Sequence, residues 1–543
     1  MEDINSETGR LTQYVPYILL AIVLGFVLFV RIRLLQAPME RDEGEYAYMG
    51  QLLLKGIPPY VNAYTMKLPG VSFVYALFMA LFGQTTAGIH MGLLVVNSIS
   101  IYLVFLLARR VLDKDAAVIS CATYAVLSLS QSVYGVFAHA THFVVLFSLA
   151  GFLLLLHYID RGRLFALCAS GVCFGLAFIM KQHSVLMICC AFLYLVWHGW
   201  KKPVGSRKKL LVACVIFLSG TIIPYALVVL YVLKAGVLGK FWFWTVKYAR
   251  EYVSEQTLEQ GWNNFAKTFK RIVEPQMPFW LLAGGGLAAL FTKQGSKTDR
   301  LFILGLFFFS FLSICPGLYF REHYFILLLP AVALMVGAAA RTAGHFLSSL
   351  QMGRFQQFIP VLLLITAVAY GIYHERNYYF FFEPQQVTRS TYGPSPFNEA
   401  VQVARYIKEH TSADDRIAVL GSEPEIFFYA DRLSATRHIY MYGLMEKQSF
   451  AVQMQSEMIR EIEMAKPKYI VMVNLPSSWG EPPFFSRTII EWGEKYAAEQ
   501  YDVVGVIDIV DFDTTHYLWD DKATGYVPIS DVFLSVLKRK GNT

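Results

Sequence analysis

The amino-acid sequence predicts an all-α multispan membrane domain followed by a C-terminal soluble α/β domain. Three observations predict it. The 543 residues are 55% hydrophobic and only 16% charged, with mean hydropathy +0.44, a composition of the integral membrane class. Up to about residue 375, apolar runs alternate with short basic clusters, the pattern of spans and topology signals. Beyond 375 the apolar residues take the spacing of soluble helices and short buried strands. The expected domains are therefore 1–375 and 376–543, the second lying outside the bilayer.

Taken in order, the first apolar run is "YVPYILLAIVLGFVLFV". It follows one basic residue, Arg10, and lacks a small-residue cleavage site, so it reads as an uncleaved anchor. Further spans are expected at 86–108, 115–130, 141–158, 164–180, 184–199, 209–233, 278–292, 301–316, 322–340 and 357–374. That makes about eleven crossings. The stretch "LPGVSFVYALFMALFG" at 68–83 is apolar but short and led by proline; it lies in the interface or adds a crossing, so the count is about 11–13. After 375, "NEAVQVARYIKEH" and "SEMIREIEMAK" read as helices, and "DRIAVLG", "KYIVMVNL" and "YDVVGVIDIV" as strands. "VLGSEPEIFFY" lacks the glycine pattern of a nucleotide loop.

The net charge of +7 does not form a nucleic-acid stripe, because the basic residues sit in turns between spans. If 68–83 does not cross, Arg109/Arg110/Lys114, Arg161/Arg163, "KKPVGSRKK", Lys293/Lys297/Arg300 and Arg341/Arg354 share one side, the cytoplasmic one. Arg31, Arg33 and Arg41 then fall outside, where they are expected to snorkel or meet anionic lipid. The seven cysteines lie within or at the ends of apolar segments at no metal-ligand spacing, which reads as core packing.

The same topology collects an outer set: Asp42, Glu43 and Glu45 in "RDEGEYAYMG", Lys67 in "MKLPG", His139 and His142 in "AHATH", Lys181 in "MKQH", and Arg321 and His323 in "YFREHY". The spans carry almost no Asp or Glu. An ion-coupled transporter would hold ionisable groups near the midplane and show repeated halves, so a transporter or flippase for lipid-linked sugars is the alternative and an enzyme the main reading. Each outer residue also has a bland explanation. Glu43 and Glu45 suit a solvated interfacial helix face, Lys181 suits snorkelling, and the two histidines, three apart, suit packing or substrate contact better than metal.

The order of anchor, "RDEGEYAYMGQLLLKGIPPY", "MKLPG", "LLARRVL", "GLAFIMKQH" and "YFREHYFILLLPAVAL" resembles the polyprenol-phosphate-sugar-dependent membrane glycosyltransferases of the GT-C class. Within them it is similar to the protein O-mannosyltransferase and lipid A aminoarabinose transferase branch, families 39 and 83, over about residues 10–375. The resemblance implies a polyprenyl-phosphate sugar donor, inverting transfer to a lipid, glycan or protein acceptor at the outer face of the plasma (inner) membrane, and no nucleotide-sugar site. It also implies Asp42 as general base with Glu43 beside it, and Lys67 as the first cation for the donor phosphate, joined by Arg321 and Lys181. Glu45, His139, His142 and His323 are expected substrate contacts. The chain departs from the family at Leu68, which replaces a proline, and at Met66, where some relatives carry a metal-associated carboxylate. No metal ligand and no cofactor is assigned, and a divalent ion is left open.

Overall fold

The structure is a computed structural model that describes residues 2–201, 203, 207–253, 256–292, 296–349, 359–480 and 486–541. Of the basic residues used for topology, Lys202, Lys293 and Arg354 lie outside the described residues. The chain forms two compact units. The first comprises Met1–Leu34, Gly92–Val228 and Gln256–Phe381, and the second Leu35–Met91, Val229–Glu255 and Phe382–Thr543.

The first unit is helical, and apart from Leu258–Val273, which no expected span covers, its long helices coincide with the expected spans. Five helical stretches of the chain are long and apolar enough to cross a membrane among the described residues: Val15–Arg33, Thr86–Val111, Ala140–Arg161, Gln182–Trp200 and Arg207–Lys234. Leu164–Met180 and Ile359–His374 are shorter apolar helices, and Lys114–Leu127, Met277–Ala289, Lys297–Ile314 and Leu329–Ser349 fill the remaining expected positions. The expected 322–340 span opens instead as a 3-10 turn, Glu322–Leu327, and becomes α-helical from Leu329. Pro330 in the first turn suits that start, since a proline there removes no intrahelical hydrogen bond.

Ion pairs fix which helix ends lie together. Arg110 bonds Asp160 at 2.6 and 2.7 Å and reaches Asp299 at 3.4 Å, and Arg341 meets Asp113 at 3.2 Å. Exposed pairs of this kind contribute little stability, but they gather the basic clusters at 109–114, 161–163, 297–300 and 341 at one end of the first unit. Ala140–Arg161 and Leu164–Met180 have Arg161 and Arg163 at that end, so His139 and Lys181 cap the opposite end.

Arg31 and Arg33 do not reach toward solvent or lipid as expected. Arg31 donates to the Ser128 carbonyl at 3.0 Å, and Arg33 donates to the carbonyls of Tyr378 and Tyr379 at 2.6 and 3.0 Å. Helix ends and turns leave carbonyls without backbone partners, and a guanidinium with five donors satisfies them.

In the second unit a six-stranded sheet has the order β2-β1-β3-β6-β4-β5. The strands are β1 (Arg416–Leu420), β2 (Leu433–Ser434), β3 (Tyr469–Asn474), β4 (Tyr501–Ile509), β5 (Thr515–Trp519) and β6 (Phe533–Arg539). β1 runs parallel to β2 and β3, whereas β6 pairs antiparallel with β3 and β4, and β5 with β4. The helices Phe397–Glu409 and Ala451–Ala465 bury one stripe each, as their spacing predicts. β1, β3 and β4 were legible as apolar runs; β2 has only two residues, and β5 and β6 mix polar with apolar residues.

The same unit holds two helices that position the site. Arg41–Leu54 starts after Glu40, whose carboxylate accepts the Glu43 backbone N–H at 2.9 Å, an N-cap. Gly70–Phe82 starts behind Pro69 and has 13 residues. At 1.5 Å per residue it measures about 20 Å, short of a ~30 Å hydrocarbon core.

Candidate active site

The acidic start of Arg41–Leu54 and the "MKLPG" loop meet within the second unit. Lys67 Nζ donates to Asp42 Oδ1 at 2.7 Å and to Glu45 Oε2 at 2.5 Å. Asp42 and Glu45 are three apart and share one helix face, which lets a single ammonium bridge them. The loop is held by its own backbone: Tyr60 Oη donates to the Lys67 carbonyl at 2.8 Å, and Lys67 N–H donates to Thr65 Oγ1 at 3.1 Å. The ammonium also sits 4.5 Å from the Tyr46 ring centroid, a cation–π contact.

Burial by itself would lower the Lys67 pKa, but the Asp42 and Glu45 carboxylates outweigh it and hold the ammonium well above the ordinary lysine range. Lys67 is therefore charged throughout neutral pH. The two ends of the bridge differ in access. The side chains of Lys67 and Asp42 keep 24% and 21% of their surface, and that of Glu45 keeps 3%. A divalent ion shared by Asp42 and Glu45 would need the place Lys67 Nζ occupies, so this carboxylate pair does not fit a metal in the arrangement present.

Glu43 points elsewhere. Its side chain is fully buried, with Oε1 3.0 Å from His90 Nε2. His90 Nδ1 lies 3.0 Å from the Leu35 carbonyl. A carbonyl only accepts, so Nδ1 carries a proton, and one further proton lies between Nε2 and Glu43 Oε1. Glu43 thus ties the site helix to the N-terminal part of Thr86–Val111.

Sequence reasoning missed the seat of this helix. Arg41, expected to snorkel or meet anionic lipid, donates through Nε to the Ser422 carbonyl at 2.6 Å, through Nη1 to Tyr442 Oη at 2.6 Å, and through Nη2 to Glu423 Oε1 at 3.3 Å. Glu423 Oε2 accepts from Ser478 Oγ at 2.7 Å. Gly44 packs directly on the next turn: a Cβ there would stand 2.6 Å from the Glu425 backbone N. The "GSEPE" turn after β1 is therefore the platform for the acidic helix. Burial first, and then the Glu423 charge, push the Glu425 carboxyl well above its ordinary range. Neither Glu425 oxygen has a hydrogen-bond partner among the described residues. The one signal available in sequence was Glu40 standing three before Glu43, the spacing of a carboxylate N-cap.

The other expected residues belong to the first unit. Lys181 ends the Leu164–Met180 helix with Nζ 3.8 Å from the Tyr324 ring centroid. Arg321 precedes the Glu322–Leu327 turn and lies over Tyr319 at 5.4 Å. His323 stacks on His139 with centroids 4.1 Å apart and planes 9° apart. His139 is the N-cap of Ala140–Arg161, and His142 lies in the first turn of that helix. His142 is buried, and neither of its ring nitrogens has a hydrogen-bond partner among the described residues.

Comparisons with known proteins bear on this arrangement. The family described as dolichyl-phosphate-mannose-protein mannosyltransferase matches residues 66–225, starting one residue before Lys67. The undecaprenyl phosphate-alpha-4-amino-4-deoxy-L-arabinose arabinosyl transferases of Pseudomonas aeruginosa (strain LESB58) and Pseudomonas paraeruginosa (strain DSM 24068 / PA7) are 27% identical over 218 and 219 residues. Those matches cover 37% of this chain and 38% of the relatives' length. Among solved structures, ArnT from Cupriavidus metallidurans bound to undecaprenyl phosphate superposes with TM-score 0.59 at 14% identity, covering 96% of this chain and 97% of its own. The archaeal oligosaccharyltransferase AglB from Archaeoglobus fulgidus, in complex with an inhibitory peptide and a dolichol-phosphate, gives TM-score 0.54 at 13% identity, covering 95% and 75%. The chain accordingly has the GT-C fold, and what it resembles in family match, in relatives and in architecture is the polyprenol-phosphate-sugar-dependent membrane glycosyltransferases.

Proposed function

We propose that this protein is an inverting membrane glycosyltransferase, a hexosyl- or pentosyltransferase that moves a sugar from a polyprenyl-phosphate donor to an acceptor hydroxyl. The reaction takes place at the outer face of the plasma (inner) membrane, where residues 376–543 also lie. The observation that carries the reading is the Lys67 ammonium bridging Asp42 and Glu45 with its Asp42 side open to solvent. The acceptor oxygen attacks the anomeric carbon, its proton passes to the Asp42 carboxylate, and the bond from that carbon to the phosphate oxygen breaks. The lipid phosphate leaves with the electron pair and one more negative charge. A general base contributes about 10²–10⁴-fold to such a step, and a fixed cation where charge develops contributes comparably.

The asymmetric exposure gives the two roles an order. A donor phosphate reaches Lys67 from the Asp42 side and replaces Asp42 as its partner, while Glu45, buried, keeps its hold. Losing the adjacent cation raises the proton affinity of Asp42. Donor binding therefore turns on the base. Glu43, tied to His90, serves as a positioning residue for Asp42. Lys181 and Arg321 are proposed as further phosphate ligands, and His139, His142 and His323 as substrate contacts.

The test is Asp42→Asn in the purified full chain, assayed by transfer from radiolabelled polyprenyl-phosphate sugars in membrane extract. Turnover is expected to fall about 10²-fold or more with the fold retained. Unchanged turnover at equal expression would remove Asp42 from the reaction.

A further inference from the structure

The second unit contains a cleft of about 1350 Å³ that none of Asp42, Glu45 and Lys67 lines. Its walls carry six glutamines, Gln36, Gln51, Gln84, Gln385, Gln386 and Gln402, together with Asn398. Phe428, Tyr429 and Tyr517 add ring surface. The charged lining is nearly balanced, four acids against three bases, and the Arg389 and Glu399 members are already paired at 2.5 Å.

Four buried polar atoms of lining residues have no hydrogen-bond partner among the described residues: Gln51 Oε1, Arg389 Nε, Asn398 Oδ1 and Glu399 Oε2. For Glu399 the contrast is sharp, because its other oxygen takes both Arg389 Nη2 and Thr515 Oγ1. Buried polar atoms in native proteins find partners, so these point to a ligand with both donors and acceptors. Amide side chains offer one carbonyl and two N–H donors each, the complement of a hydroxyl that both donates and accepts. Aromatic faces, which carry the negative side of the ring quadrupole, suit the weakly positive C–H face of a pyranose. A near-neutral wall selects against phosphate or uronate.

We propose that this cleft is a binding site for uncharged saccharide, separate from the Asp42–Lys67 pair. Gln51 lies nine positions after Asp42 on the same helix, about 14 Å along its axis. The site thus holds a glycan at a distance from the carboxylate, and as a binding site it stands without any assumption about transfer.

The experiment measures binding to the full-length protein in nanodiscs, with no donor present, by titration calorimetry. The probes are linear gluco-, manno- and galacto-hexaoses, the same saccharides on a lipid anchor, and hexagalacturonate. At least one neutral hexaose is expected to bind, and Gln36→Leu/Gln402→Leu, two exposed positions, is expected to weaken it at least tenfold. Asp42→Asn should leave that binding within twofold. Tighter binding of the anchored saccharide identifies a membrane-borne ligand, and equal binding a soluble one. The proposal is overturned if no neutral hexaose binds, if hexagalacturonate binds more tightly, or if Asp42→Asn abolishes binding while the glutamine double variant does not. A double variant that fails to fold is replaced by Gln385→Leu, read against the same outcomes.

Discussion

Replacing Lys67 with methionine removes the one cation between Asp42 and Glu45 while keeping most of the side chain's volume. Two effects follow. If the ammonium stabilises the departing phosphate, its loss should cost on the order of 2.7–4 kcal/mol of activation free energy, the size seen for one preorganised donor. That is about a 10²–10³-fold fall in rate. The second effect concerns the carboxylates, which share Lys67 at 2.7 and 2.5 Å and would then face each other uncompensated. Breaking a buried ion pair costs ~3–5 kcal/mol when fully buried. Glu45 meets that condition and Asp42, at 21% exposure, does not, so about 3 kcal/mol or less of stability is expected to go.

Without the cation one carboxyl takes up a proton more readily, and the acid limb of the pH–rate profile should move to higher pH. The lysine itself does not blur this reading. Its folded pKa is raised, so its own contribution to stability is fully present below about 10.5 and is lost only as pH rises through the higher folded value. Lys67→Arg should restore part of the rate, since a planar fork cannot place its charge as a compact ammonium does. The assay is single-turnover transfer at saturating donor across pH 5–9, run on wild type and both variants. A methionine variant as fast as wild type, with its acid limb unmoved, would refute the assignment and turn attention to Arg321 and Lys181.

Three further outcomes are expected. Gly44→Ala should destabilise by about 1–3 kcal/mol, because the new Cβ meets backbone and not a movable side chain; a thermal midpoint equal to wild type would show that the acidic helix does not rest on the Glu425 turn. Glu425→Gln should raise the unfolding midpoint near pH 7–8 and leave it unchanged near pH 4. The raised folded pKa makes the native carboxyl costly only as pH climbs above its unfolded value of about 4.5, and a variant less stable than wild type at pH 8 would contradict the sign. For topology, an impermeant thiol reagent added outside should modify Ser412→Cys and miss Lys208→Cys, both exposed positions; the reverse pattern would invert the proposed orientation.

Features written in a local pattern of residues could be read from the chain alone. Span after span was legible because a helix in hydrocarbon must be apolar along its length, and the basic turns were legible because charge cannot sit there. The strands β1, β3 and β4 and the helices Phe397–Glu409 and Ala451–Ala465 followed from their periodicity. Asp42, Glu45 and Lys67 stood out because acid and a lone lysine are rare in so apolar a region. How those residues are used depends on packing between distant segments. Asp42 and Lys67 are 25 residues apart, and nothing in either segment dictates that the ammonium should bridge Asp42 to Glu45. The Arg41–Glu423 and Gly44–Glu425 contacts join segments about 380 residues apart, and only the packed sheet brings the turn after β1 beneath the helix. Neighbouring acids on one helix also diverge by about 100°, so Glu43 turned inward to His90 while Asp42 faced out. Burial separates the roles of the two acids, and burial is a property of the whole packed unit that no short stretch of chain carries.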